Sequence, residues 1–157
     1  WSLWCVELQS TNVKRQEYLP LFINNNDNIL QPTAHRIWDR LIAVDGIVSI
    51  QEGLSGNDAL TAYQKIEKMS QEFYHYIYKG MLEKHQQNIQ TRIEKGQNAF
   101  DIKQEAIEKL GLDEVKNYRQ NKLQQELKIW KQEINQLKKV VPNLYPIIML
   151  QVKSHDN

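Results

Sequence analysis

The side chains best suited to acid–base or metal chemistry are four histidines, His35, His75, His85 and His155, and one cysteine, Cys5. The histidines have no cysteine partners and no tight ligand spacing. Glu72 and His75 form a Glu-x-x-His pair on a helical stretch. A di-iron bundle would need a second copy and two further inward carboxylates, and no second copy occurs. His75 is therefore read as a surface or boundary residue. His85 falls four residues after Met81 and four before Ile89, which makes it a boundary residue of an apolar seam. No Ser-His-Asp or Cys-His arrangement stands out, so no catalytic, metal or cofactor-binding residue is assigned. Gly53 and Gly56 are not followed by Gly-Lys-Ser/Thr, and their segment reads as a connector rather than a phosphate loop.

Contact chemistry is better represented. Arg92, Lys95 and Lys103 cluster near an expected chain reversal, where they could touch phosphates without reading sequence; Glu94 and Asp101 dilute their field. Lys138 and Lys139 form a second basic pair at the opposite end. Phe73, Tyr74, Tyr76 and Tyr78 could stack on bases, but neighbouring positions point around a helix, so part of this group is expected in the core. Residues 58–157 hold 16 basic and 13 acidic side chains, a net of +3, against 4 and 6 in residues 1–57. With both signs interleaved, this is the pattern of a solvated helical surface with a slight leaning towards polyanions.

The elements that carry these residues follow from periodicity. Trp4, Val6 and Leu8 alternate with Glu7, as in a half-buried strand over residues 3–8. Residues 17–23, EYLPLFI, form a second strand that Pro20 pushes towards an edge or bulge. The NNNDN run at 24–28 makes a tight turn. Behind Pro32 and a cap at Thr33, the spacing of Ala34, Ile37, Trp38, Leu41 and Ile42 predicts a short helix ending near Asp45 and Gly46, with Trp38 pressed onto the sheet.

From a cap at Asn57 or Asp58, a long arm runs to Gly96 on a spine of Leu60, Tyr63, Ile66, Met69, Phe73, Ile77, Met81, Ile89 and Ile93. Leu123, Leu127, Trp130, Ile134, Leu137 and Val141 then recur at steps of 4, 3, 4, 3 and 4, a heptad seam that must pack on another helix. Arms of matched length place the reversal at residues 95–98, with a kink near Gly111. Pro142 ends the return arm, and residues 147–153 supply a last strand. The fold class is thus α+β, mostly α: a long antiparallel helical hairpin rooted in a small sheet built from N-terminal strands and a C-terminal strand. The expected division is 1–57 for strands and short helix, 58–141 for the hairpin and 142–157 for the return strand and tail.

The composition, 41% hydrophobic and 25% charged over 157 residues, suits one globular domain with a sizeable core. No apolar run approaches the ~20 residues of a membrane-spanning helix. A single cysteine within an apolar strand suits a cytoplasmic compartment. The chain opens at Trp1 directly on a strand-like run and is read as an excerpt of a longer polypeptide.

Three stretches, LPLFINNNDNILQPTAHRIWDRL, AFDIKQEAIEKLGLDEVKNYRQNKLQQELKIWKQEI and VVPNLYPIIMLQV, cover about half of the chain. In this order they resemble the C-terminal accessory region of bacterial Swi/Snf-type helicase-like ATPases of superfamily 2. The resemblance implies a non-catalytic coiled-coil accessory element of a DNA-dependent motor. It would contact nucleic acid, a partner or the motor lobes through its hairpin, with ATP bound and hydrolysed by the parent. None of the family's ATP-binding or helicase motifs occurs here, so no catalytic residue is carried over. The alternative expectation is a coiled-coil self-association module, a homodimer joined through the heptad seam.

Overall fold

The computed structural model describes residues 1–43, 53 and 55–153. The expected helix end at Asp45 and Gly46, most of the connector that follows, and His155 lie outside these residues. The element order is β1 (Ser2–Ser10), β2 (Val13–Leu21), α1 (Gln31–Ile42), α2 (Gly56–Glu108), α3 (Asp113–Lys138) and β3 (Val141–Met149). The architecture is mostly helical, with a small antiparallel sheet and a long helical hairpin. The chain divides into two compact units: Trp1–Glu7, Arg15–Lys79 and Pro142–Asn157 in the first, Leu8–Lys14 and Gly80–Val141 in the second.

In the first unit the sheet order β2-β1-β3 makes β1 central. Alternation places Trp1, Leu3, Cys5 and Glu7 on one face and Ser2, Trp4 and Val6 on the other. Trp1 and Leu3 pack with Ala34, Ile37, Trp38 and Leu41 of α1, and Trp38 stacks on Trp1 at 6.1 Å. On the opposite face Tyr63 of α2 stacks on Trp4 at 6.0 Å. With both faces covered, β1 is buried along most of its length rather than half-buried. Glu7, expected to face outward, is only 5% exposed. Its carboxylate accepts from Gln16 Nε2 at 2.9 Å and from Asn143 Nδ2 at 3.2 Å, which compensates part of the cost of burying a charge.

The outer strands hold all the strand prolines, as the missing donor requires: Pro20 in β2, Pro142 and Pro146 in β3. Both strands begin earlier than their apolar patterns indicate. Lys14, Arg15, Gln16 and Glu17 belong to β2, because an edge strand tolerates polar side chains. Pro142 does not merely stop α3; it lies inside β3. Asn12, which tolerates a left-handed backbone, takes φ 60° at the β1–β2 turn.

The NNNDN turn forms as its composition demands. Asn24 Oδ1 accepts from the N–H groups of Asn26 and Asn28 at 3.0 and 2.9 Å, and Asp27 adopts φ 60°. Lys65 of α2 reaches back to Asp27 at 2.8 Å. Thr33 is not a cap: α1 starts at Gln31 with Pro32 in its first turn and no side-chain cap bond. Asn57 and Asp58 lie inside α2, where Asp58 accepts from Ser55 Oγ at 2.7 Å.

The second unit pairs α2 with α3, and here the expected reversal is corrected. The helix continues through Gly96 to Glu108, and the chain turns at residues 109–112 around Gly111. Gly96 is not a breaker but a socket: a β-carbon there would overlap the Trp130 indole of α3. The absence of a side chain lets the two helices close, and Phe100, one turn on, packs on Trp130 with ring centres 5.4 Å apart. Ile89, Ile134 and Leu137 form the buried cluster, with Val13, Ile93 and Trp130 packed on it. Towards the turn Leu123 and Ile107 are buried in their turn. The seam ends at Leu137; Val141 is 56% exposed and starts β3. Leu60, expected on the spine of the first arm, is 56% exposed, while Ser70 and His85 are buried at its core positions.

Candidate functional site

Two polar groupings of the second unit are candidates, one at each end of the paired helices. The first gathers at the C-terminus of α3, where the last carbonyls lack helical donors. Leu137 C=O accepts from Ser10 Oγ at 2.7 Å and lies 2.9 Å from His85 Nε2. Since a carbonyl can only accept, His85 carries its proton on Nε2. His85 is 2% exposed and thus more deeply placed than a boundary residue. This grouping is satisfied within the molecule and reads as a tie between elements. Of the other described histidines, His35 and His75 are exposed, as is Glu72, and no group of metal-ligating residues forms among the described residues.

The second grouping lies beside the turn. Lys103 and Ile107 of α2 face Tyr118, Arg119, Lys122, Leu123 and Glu126 of α3 across an open groove of about 440 Å³. Periodicity puts them there: Arg119 and Glu126 flank the seam residue Leu123 at offsets of four and three, and Lys122 lies three positions after Arg119 and four before Glu126. Lys103 Nζ donates to Glu126 Oε2 at 3.0 Å and sits 5.6 Å from the Phe100 ring centre. The hydrogen bond from Lys103, then the charges of Lys103 and Lys122, hold the Glu126 carboxyl below its ordinary value despite its exposure. Arg119 and Lys122 form no ion pair among the described residues. Tyr118 is 70% exposed.

Of the three basic residues expected at the tip, only Lys103 borders this groove. Arg92 and Lys95 are exposed along the middle of the paired region, about 16 and 12 Å of helical rise before Lys103. The residues that sequence reasoning missed are Tyr118, Arg119 and Lys122. Their signal was present: residues 115–125 hold Lys116, Arg119 and Lys122, five amide side chains and a tyrosine, with no acidic residue. A reversal at residues 95–98 would put them far from the turn, whereas the turn at 109–112 puts them beside it. The tyrosines of α2 are partly committed elsewhere, as Tyr74 stacks on Tyr78 at 5.5 Å and only Tyr76, 89% exposed, stands clear. No helix among the described residues is long and apolar enough to cross a membrane.

Compared with known proteins, the chain matches no family model, no curated protein and no solved structure.

Proposed function

We propose that this chain is a non-catalytic accessory domain of a helicase-like, DNA-dependent ATPase, and that its hairpin meets the phosphates of nucleic acid beside the α2–α3 turn. The observation that carries the reading is the grouping of Lys103 of α2 with Arg119 and Lys122, on an acid-free stretch of α3, around one open groove that Glu126 also lines. Cations so placed gain by neutralising phosphates and releasing counterions. ATP binding and hydrolysis belong to the parent in this reading. A cytoplasmic setting accords with Cys5, which is buried and free. Self-association through the heptad seam is the weaker alternative, because Ile134 and Leu137 already pack against Ile89 within the chain.

The test is fluorescence anisotropy with labelled DNA over a range of salt concentrations. The two groove cations outside an ion pair among the described residues, Arg119 and Lys122, give a log–log salt slope of roughly −1.4 to −1.8. Replacing Lys103, Arg119 and Lys122 together by glutamate is expected to weaken binding at least about tenfold, at ~1.4 kcal/mol per factor of ten. Unchanged affinity would remove the groove from this account.

A further inference from the structure

We infer that the groove beside the turn takes an unpaired nucleotide, with the Tyr118 ring stacking on its base while Arg119 and Lys122 hold the flanking phosphates. The inference rests on the nucleic-acid reading above and adds what part of the nucleic acid is recognised. The aromatic rings nearby in the hairpin are already used: Trp130 fills the Gly96 socket and packs on Phe100. Tyr118 is different, since it is 70% exposed and has no aromatic partner among the described residues. A large exposed ring contributes nothing to a core, whereas every base offers a face to stack on.

The charges around the ring agree. Lys103 is engaged by Glu126 at 3.0 Å, so the cations left for an incoming anion are Arg119 and Lys122, one turn apart on α3. Tyr118 and Lys122, four positions apart, stand on the same side of the helix. Asn117 and Asn121 are exposed beside them and can hydrogen-bond base edges or sugar without regard to charge. The groove, about 440 Å³, falls within the range of small-ligand sites, ~300–1,000 Å³. A duplex keeps its base faces stacked and hidden, so it could use the cations but not the ring; single strands can use both.

The experiment is an anisotropy titration of the whole chain with four labelled probes of equal length: oligothymidylate, oligouridylate, a DNA duplex and an abasic strand that has phosphates but no bases. The two single strands with bases are expected to bind more tightly than the duplex and the abasic strand. Their ranking tells DNA from RNA. Tyr118→Ala is expected to weaken single-strand binding by about five- to a hundredfold and to leave the abasic strand unaffected, while Tyr118→Trp retains binding. Circular dichroism should show both variants folded, as the ring is exposed. Equal affinity for strands with and without bases, or no effect of Tyr118→Ala, would overturn the stacking inference while leaving phosphate contact standing. Failure of every probe to bind would overturn both.

Discussion

His85 and Lys122 belong to the same pair of helices, yet their surroundings differ in every respect that matters for function. His85 is buried, aimed at a helix-terminal carbonyl that Ser10 also serves. Lys122 is exposed beside a groove, with no ion pair among the described residues. At one end Ser10 and His85 spend their polar groups on the α3 carbonyl, with Lys138 and Lys139 exposed beside them; the other end sets its cations beside an exposed aromatic ring, Tyr118. That ring, together with Arg119 and Lys122 around one groove, is what distinguishes the turn end from the α3 C-terminus as a binding surface.

That contrast can be broken by variants that affect stability and affinity separately. The largest effect is expected from Ile134→Ala. Its side chain is 5% exposed, and truncation should cost about 2–4 kcal/mol in urea unfolding, with nucleic-acid affinity of the folded protein unchanged. The charge reversal at Lys103, Arg119 and Lys122 should do the opposite, lowering affinity while moving the urea midpoint little. A stability loss there as large as that of Ile134→Ala would end the distinction.

Two glycines of α2 give a smaller effect of opposite sign. A β-carbon at Gly80 meets nothing within 4 Å, so Gly80→Ala should stabilise by up to about 1 kcal/mol through helix propensity alone. Gly96→Ala gains the same propensity but forces Trp130 out of place. Overpacking costs about 1–3 kcal/mol, so the net change should be destabilising. Thermal melts of the two variants check the sign.

The smallest effect concerns Glu126. Its carboxyl is held low in the folded state, so its contribution is present above the ordinary carboxylate value and is lost as pH falls through the lowered one. The contact with Lys103 is exposed at both partners and is screened by salt. An NMR titration of Glu126 should show its value rise towards the ordinary one in Lys103→Met.

Much of the fold was legible where the cause is local. Pro20 on an outer strand, the Asn24 turn, the Trp38 helix on the sheet and the buried Ile134 and Leu137 all follow from a residue's own chemistry or from spacing within one element. Gly96 was misread because a glycine in a helical pattern has two meanings, and Trp130, far along the chain, decides between them. Glu7 was misread for a related reason: its donors come from β2 and β3. The early start of β3 was hidden by Pro142 and Pro146, which look like stops until the strand is known to be at an edge. The groove was legible in composition but not in place, since its two sides lie on different helices and meet only when the turn is set correctly.

The prolines of the outer strands have a further consequence. From Val140 to Leu150 there is no charged residue, and Val141, Ile147 and Ile148 are 44–56% exposed. An edge of that kind invites the same segment of other molecules to add on, strand after strand, towards a fibre. Pro142 and Pro146 interrupt the regular supply of backbone donors that such growth needs. In β2 that task falls to Lys14, Arg15 and Glu17 together with Pro20. The two borders of one sheet are thus guarded against aggregation by different means, one chiefly by charge and the other by proline alone.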